Sequence, residues 1–188
     1  MLCAALVCSA SPTLAAPDLK QPLLASRVVP APSQLPAAPV HAILRIDKSE
    51  NRNQVFYGAR VDAACRPKGA NPIFAYWRMR ERGPNVTENL LDHEQQAYGI
   101  ETQKVLARSN QGGSVHVQLQ AWPDRPIKLQ LFRAANGCAA RALLDIQRTP
   151  AILQSIYINI GFLFSVNYAL LRGIRTTDGT PIHEKLRR

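Results

Sequence analysis

Acidic residues and cysteines are both scarce in this sequence, and each shortage narrows the class of protein that it can be. Asp and Glu number 13 against 23 Lys and Arg, which gives a formal net charge of +10. Such an excess of cations favours anionic partners, although it also occurs on proteins that use charge only to stay in solution. Hydrophobic residues make up 46% and charged residues 19% of the chain. This balance excludes intrinsic disorder and is typical of a globular domain.

The signature motifs of several enzyme classes are also missing. His93-Glu94 starts the zinc-protease pattern, but the second histidine would have to stand where Ala97 does. Neither a Gly-x-Ser-x-Gly elbow nor a phosphate-binding glycine loop occurs. No spacing typical of metal ligands connects the histidines, which are His41, His93, His116 and His183. We therefore expect no metal or cofactor and assign no catalytic residue, leaving open only carboxylates that the fold pairs from distant positions.

Few cysteines remain once the first segment is set aside. Residues 1–16 carry no charged side chain, contain a short apolar core and include Thr13-Leu14-Ala15 near their end, as secretory signal peptides do. Lys20 is the first basic residue, so we expect the true translation start to lie upstream. Removal of this leader predicts a periplasmic or secreted protein in which Cys65 and Cys138 form a disulfide. The bridge would close a loop of about 73 residues and stabilise the fold by about 4 kcal/mol.

Prolines concentrate near the start of the chain, where 7 of the 14 stand before residue 40. Residues 17–40 mix Pro, Ala, Ser, Val and Leu without a usable period, which predicts an extended linker. The remaining residues, 41–188, then form a single domain of ordinary size.

Alternation of apolar and polar residues dominates this domain. The segments that alternate most clearly are 54–63, 114–122, 126–133 and 138–146. Asn136-Gly137 tolerates positive φ and predicts a hairpin turn before the last of them. We expect an all-β fold, an antiparallel meander of about eight or nine strands that forms a small barrel or sandwich. One short helix is expected near 87–98, capped by Thr87 and ended by Gly99.

An uncharged run of 21 residues, 151–171, is long enough for a transmembrane helix. Gly161 stands at its centre, and polar residues recur on both sides of this glycine. The apolar residues fall on one parity in each half, first Ile156, Ile158 and Ile160, then Phe162, Phe164, Val166 and Tyr168. This pattern favours a β-hairpin, and we expect no transmembrane span.

The most unusual segment is 71–82, where aromatic residues stand beside arginines. As a strand it has one face made of Phe74, Tyr76, Arg78 and Arg80. Trp77 lies on the other face, as a core residue would. Because guanidinium groups bind carboxylates and phosphates in pairs of hydrogen bonds, we predict Tyr76, Arg78 and Arg80 as ligand-binding residues. The alternative is an ordinary strand whose arginines extend into solvent.

Several short motifs are shared with a known group of domains. They are Asn71-Pro72 with Tyr76-Trp77, Ala97-Tyr98-Gly99-Ile100, Tyr168-Ala169-Leu170-Leu171-Arg172-Gly173, and Glu184-Lys185. With these motifs the chain, over about residues 41–185, resembles a family of small exported bacterial domains labelled a domain of unknown function. The resemblance implies no activity and no catalytic residue. It does imply that 151–171 belong to the domain and are not an anchor.

Together these features predict an exported, non-catalytic binding protein, with two modes of binding left open. In the first, a barrel of about eight strands carries one small amphipathic or anionic ligand between its aliphatic walls. In the alternative, the core is packed and the basic surface docks on an anionic envelope component or a partner protein. A small hydrolase with a buried carboxylate or histidine is the third hypothesis. Nucleic acid is not expected as a partner because of the leader, and the sequence does not determine the oligomeric state.

Overall fold

The computed structural model describes residues 29–162 and 166–187, and this part of the chain is mostly β. One sheet contains 12 strands, and one short α-helix accompanies it. The predicted leader, and the predicted linker up to residue 28, lie outside the described residues. The strands are β1 (Ala38–Pro39), β2 (Leu44–Lys48), β3 (Gln54–Ala59), β4 (Ile73–Arg78), β5 (Thr87–Asn89), β6 (Ile100–Ser109), β7 (Gly112–Leu119), β8 (Trp122–Ala134), β9 (Gly137–Ile146), β10 (Thr149–Ile160), β11 (Val166–Arg175) and β12 (Pro181–Arg187), and the helix is α1 (Asp92–Tyr98).

Strand β10 divides the sheet because its two halves pair with different neighbours along one edge. Residues 149–153 pair antiparallel with β9, whereas residues 155–158 pair in parallel with β2. The opposite edge pairs with β11, which in turn pairs with β12. Two arms therefore meet at β10: the first arm consists of β2, β3, β4 and β5, and the second arm of β9, β8, β7 and β6. Within the described residues the sheet does not close on itself.

The expected all-β class with one short helix is confirmed, and two details differ from a simple meander. The parallel pair of β2 and β10 joins strands from opposite ends of the domain. The strands also outnumber the expected eight or nine, because β1 and β5 are too short to show an alternating pattern. Alternation of apolar and polar residues does not indicate which strands pair, and it cannot be recognised in a strand of only two or three residues.

The core lies between the two arms and consists mainly of aliphatic side chains. The alternation in β3 buries Val55, Tyr57 and Ala59 on one face, as the sequence predicts. The same rule buries the alternating aliphatic residues of the second arm, which are Val115, Val117, Leu119, Ile127, Leu129, Leu131, Ala140 and Ala142. Ile156 extends into this core from the point where β10 changes partners.

A proline-rich segment before β2 lies against the sheet. β1 pairs with β9 at Ala139 and Ala140, on the edge of β9 that β10 leaves uncovered. The guanidinium of Arg141 donates hydrogen bonds to the carbonyl oxygens of Pro32 at 2.8 Å and Leu35 at 3.0 Å. The end of the predicted linker is therefore held against the folded domain.

A disulfide and hydrogen bonds from Arg108 and Arg133 fasten the loop between β3 and β4, residues 60–72, to the second arm. Cys65 and Cys138 form a disulfide with their Cα atoms 5.3 Å apart, as predicted. Arg108 on β6 donates to the carbonyl oxygens of Pro67 at 3.2 Å and Gly69 at 3.0 Å. The loop thereby connects the two arms away from β10.

A further connection joins β4 of the first arm to β6 of the second arm through a side chain. The amide nitrogen of Ile73 donates to Oε1 of Gln103 at 2.8 Å, and Nε2 of Gln103 donates to the carbonyl of Ile73 at 3.2 Å. β5 pairs only with residues 76–78 of β4, so Ile73 has no backbone partner on that edge. The carboxamide of Gln103 takes the place of that partner.

The helix begins later than the sequence predicts. Residues 87–89 form β5 on the edge of β4, so Thr87 does not cap the helix, which starts at Asp92 and ends before Gly99 as expected. Leu91, the residue before the helix, provides no side-chain cap, but Oε2 of Glu94 accepts the amide N–H of Leu91 at 2.8 Å, as the third helical residue of a capping box does. The same oxygen accepts the indole N–H of Trp77 at 2.7 Å, which attaches the helix to β4.

The uncharged run 151–171 lies in a β-hairpin, as predicted, but its two halves do not share the predicted parity. Ile156 is in the core, whereas Tyr168 is on the outer side of the sheet and the buried residues in the β11 half of the run are Ala169 and Leu171. β10 and β11 pair antiparallel from Ala151 with Arg175 to Ile160 with Val166. The turn residues 163–165 lie outside the described part of the chain. None of the helices described is long and apolar enough to span a bilayer.

One bidentate ion pair gives the stability of the fold a specific pH dependence. Arg125 on β8 donates to both oxygens of Glu184 on β12, at 3.0 and 2.9 Å, and the backbone N–H of Gln147 donates to Oε2 at 3.0 Å. The Arg125 guanidinium lowers the pKa of Glu184, and the Gln147 N–H acts in the same direction. A carboxylate with a lowered pKa stabilises the folded state at pH above about 4.3, the value for unfolded glutamate, and this contribution is lost as pH falls through the lowered pKa.

We therefore expect Glu184→Gln to reduce the free energy of unfolding at pH 7 by about 1–2 kcal/mol, the cost of weakening charge-assisted hydrogen bonds that solvent partly screens. The difference from the wild type should shrink as the buffer becomes more acidic than pH 4. Urea unfolding of both proteins across this pH range measures it. A difference that is the same at every pH would show that the charge of Glu184 contributes nothing.

Candidate functional site

The register of the sheet aligns side chains in rows across seven strands. Arg45 on β2 pairs with Phe56 on β3, and Phe56 pairs with Tyr76 on β4. On the other side of β2, Arg45 pairs with Ser155 of β10. That row continues through Arg172 on β11 to His183 on β12. Directly paired residues place their side chains on the same face of a sheet. This face, turned away from the core, extends from β5 across the first arm to β12, and we name it the outer face.

A second row lies one step nearer the β10–β11 hairpin. It comprises Thr87, Arg78, Gln54, Asp47, Tyr157, Leu170 and Lys185. The next row contains Asn159, Tyr168 and Arg187. These rows contain five positively charged side chains and one carboxylate, that of Asp47. The cations are Arg45, Arg78, Arg172, Lys185 and Arg187.

The single carboxylate of the rows is engaged by its neighbours. Nε of Arg45 lies 3.1 Å from Oδ2 of Asp47, and Nε2 of Gln54 donates to Oδ1 at 2.5 Å. Of the five cations, Arg78 is half-buried. The other four are exposed to solvent, namely Arg45, Arg172, Lys185 and Arg187. The outer face is therefore basic, with four more cations than carboxylates in its rows.

Aromatic rings form one cluster on the outer face of the first arm. The ring of Tyr76 stacks on those of Phe56 and Phe74, with centroids 6.0 and 5.8 Å away. Phe74 lies over Gly58 on the neighbouring strand, where a Cβ atom would come within 2.8 Å of the ring. Only glycine leaves room for the ring, so Gly58 determines how closely the cluster lies on the sheet.

The sequence-predicted site residues lie beside this cluster. Arg78 places its guanidinium carbon 5.5 Å from the centroid of Phe56, within the range of a cation–π contact. Arg80 follows the end of β4 and donates from Nε to Gln54 at 3.0 Å. The hydroxyl of Tyr76 donates to the backbone carbonyl of His41 at 2.5 Å. Burial raises the pKa of Tyr76, with Arg78 acting in the opposite direction, so the phenol is neutral and offers a partner its ring.

A shallow depression at the end of the first arm is bordered by one of the predicted residues. It measures about 360 Å³, is open to solvent and is lined by polar and charged residues, which are Asp47, Lys48, Asn51, Arg52, Asn53, Gln54 and Arg80. Tyr76 and Arg78 do not line it. The structure therefore places Arg80 in a depression and the other two predicted residues on the flat face next to it.

Sequence reasoning missed a second group of aromatic and basic residues, on β10 to β12. The ammonium of Lys185 lies 3.9 Å from the centroid of the Tyr168 ring. The guanidinium of Arg172 lies 5.9 Å from that of Tyr157, and the two tyrosine rings are 6.3 Å apart. Alternation within the hairpin was the available signal, but only the parallel pair of β2 and β10 reveals that this group shares a face with Tyr76.

The inner side of β4 has a structural role. Trp77 is 5% exposed, meets Tyr98 edge-on at a centroid distance of 5.5 Å, and is covered by the ammonium of Lys48 at 4.5 Å. The hydroxyl of Tyr57 donates to the carbonyl of Tyr98 at 2.6 Å, and burial raises the pKa of Tyr57 far above its ordinary value. These bonds occupy the polar atoms of the buried rings and hold α1 in place.

No group of three or more His, Cys, Asp or Glu within residues 29–162 and 166–187 is arranged to hold a metal ion. Four surface depressions, including the one beside Arg80, measure about 290 to 410 Å³ and are all open to solvent. The chemistry that the described residues concentrate in one place is therefore cationic and aromatic, and it lies on the outer face.

These features define a class: an all-β domain with a forked sheet, one disulfide and a basic outer face. The chain belongs to the family described as domain of unknown function DUF4833, whose profile matches residues 44–185. No curated protein and no solved structure matches the chain.

Proposed function

We propose that this protein is an exported binding module that docks its outer face on an anionic partner. The observation that carries the proposal is the composition of the rows, in which five cations accompany one carboxylate that Arg45 and Gln54 already engage. Charges of one sign on a continuous surface attract a partner of the opposite sign over distances near the Debye length, about 8 Å at physiological salt. Export is supported by the disulfide, since such bonds persist in oxidising compartments.

The filled space between the arms favours docking over carriage of a ligand inside the domain. Side chains that would line a hollow barrel pack instead in one continuous core. The four depressions described above, among residues 29–162 and 166–187, are open to solvent. A partner would therefore be bound on the outer face, with Tyr76, Arg78 and Arg80 at one end of it and Arg172 and Lys185 at the other.

The rings beside the cations make the face more than a charged surface. Lys185 and Arg172 rest against tyrosine rings, and Arg78 rests against Phe56. A cation held over a ring loses fewer side-chain conformations when it binds an anion, so less entropy opposes association. The same rings offer apolar surface to a partner that combines a negative charge with aliphatic groups, such as a lipid head group or an acidic sugar.

Binding of the oxidised protein to dextran sulfate in a salt series tests this proposal. We expect affinity to fall steeply as NaCl rises from 50 to 300 mM, because salt screens the face. Arg172→Glu combined with Lys185→Glu should weaken binding at least tenfold. The matched control is Lys104→Glu with Lys128→Glu, which makes the same change on exposed residues of the second arm. The control should weaken binding less than threefold.

Two results would refute the proposal. If the control pair weakened binding as much as the pair on the outer face, affinity would reflect total charge and not this surface. If the protein showed no salt-dependent affinity for the polyanion, the face would not be an anion-binding site.

A further inference from the structure

The strands of the first arm and of the hairpin bring their ends together at one end of the sheet. β2 and β4 end there at Lys48 and Arg78, and β12 ends there at Arg187. β10 reaches this end at Ile160, where Oγ of Ser49 accepts the amide N–H of Ile160 at 2.9 Å. We name the segments 47–54, 78–88, 160–162 and 185–187 the hairpin end.

Basic side chains dominate the hairpin end. They are Lys48, Arg52, Arg78, Arg80, Arg82, Lys185 and Arg187, and the carboxylates are Asp47, Glu50, Glu81 and Glu88. Each carboxylate has a partner within the protein. Glu50 lies 3.8 Å from the ammonium of Lys48, Glu88 forms an ion pair with Arg82, Glu81 accepts the amide N–H of Arg52 at 3.2 Å, and Asp47 is held by Arg45.

A large apolar side chain is exposed at the same end of the sheet. Phe162, at the end of the hairpin, is 86% exposed, more than any other large hydrophobic residue described. Tyr168, which pairs with Asn159 near the same end of the hairpin, lies under the ammonium of Lys185. An exposed phenyl ring costs free energy in water. An end of the sheet that carries both such a ring and several cations combines the two forces that attract a protein to an anionic bilayer.

We infer that the anionic partner is a lipid bilayer, which the protein meets with its hairpin end. Phe162 enters the boundary between head groups and acyl chains, while Lys185, Arg187 and Arg80 contact the anionic head groups. This inference rests on the proposed function and adds the chemistry of the partner. A soluble acidic polysaccharide satisfies the cations equally well, but it has no apolar layer to receive the ring of Phe162. The exposed ring is therefore the observation that favours a lipid surface.

The test compares two probes: unilamellar vesicles of phosphatidylcholine with about 30% phosphatidylglycerol, and dextran sulfate. Phe162→Ser is expected to weaken partitioning into the vesicles about tenfold and to leave affinity for dextran sulfate unchanged. Phe162→Trp should bind the vesicles at least as well as the wild type. Leu106→Ser is the control, because Leu106 is also exposed but lies on β6, far from the hairpin end. Thermal unfolding checks that all three variants fold.

The outcomes separate the two proposals. If Phe162→Ser bound the vesicles like the wild type while Arg172→Glu with Lys185→Glu lost affinity for both probes, the lipid inference would be wrong and the anion-binding proposal would stand. If the wild type bound dextran sulfate but not the vesicles, an acidic polymer would be the better partner. If pure phosphatidylcholine vesicles were bound equally well, the cations of the hairpin end would not contribute, and the inference would also be overturned.

Discussion

Loss of the Cys65–Cys138 disulfide is expected to lower the free energy of unfolding by about 4 kcal/mol. The bridge spans 73 residues and so removes many conformations from the unfolded chain, which is the main origin of disulfide stabilisation in the loop-entropy treatment. For a domain whose total stability is about 5–15 kcal/mol, this is a large fraction. Urea unfolding of Cys65→Ala with Cys138→Ala, against the oxidised wild type, gives the value directly.

The reduced wild type is the matched control for this variant. It lacks the crosslink but keeps both sulfur atoms, so it separates the loss of loop closure from the loss of packing around Cys65, which is fully buried. We expect both proteins to be destabilised by similar amounts. Equal stability of the oxidised and reduced wild type would contradict the role given to the bridge. The hydrogen bonds from Arg108 and Arg133 would then be the main attachment of the 60–72 loop.

Ile156→Ala is expected to cost about 2–5 kcal/mol, as truncation of a fully buried aliphatic side chain does. Ile156 is 1% exposed and lies on β10 where that strand pairs with β2 on one side and β11 on the other. Its side chain fills the core at the point where the two arms separate, so the surrounding strands cannot move inward to close the cavity. Chemical denaturation of the variant measures the loss.

The same substitution at Ile160 provides the comparison. Ile160 belongs to the same strand but is half-buried, so Ile160→Ala should cost about 1 kcal/mol, in proportion to the apolar area lost. Costs of equal size for the two variants would show that the core does not converge on Ile156. The forked arrangement of the arms would then be wrong.

Much of the fold follows from local pattern. The period of two identified which face of β3, β7, β8 and β9 is buried, because a half-buried sheet requires it. The hairpin at 151–171 was found from alternation, although the parity predicted for its two halves was wrong, and the disulfide was found from the small number of cysteines left after the leader. Pairing between distant strands has no such local signal. The contact of β2 with β10 depends on the geometry of the whole core, as does the bond that makes Gln103 an edge partner for Ile73.

The candidate site was predicted only in part, for the same reason. Tyr76 and Arg78 were recognised because aromatic and basic residues alternate along one strand. Arg172 and Lys185 are as prominent on the outer face, but they stand on strands that reach the first arm only through β10. Phe162 was assigned to the apolar parity of the hairpin, whereas in the structure it is 86% exposed.

The central claim is that this protein binds its partner on the outer face and has a filled interior. Native mass spectrometry of the oxidised protein, purified without detergent from its own cells, tests that claim most directly. We expect the mass of the bare polypeptide, two hydrogens lighter than the reduced chain because of the disulfide. A reproducible additional mass that is lost on denaturation would contradict the claim, because it would reveal a tightly held ligand and favour a carrier.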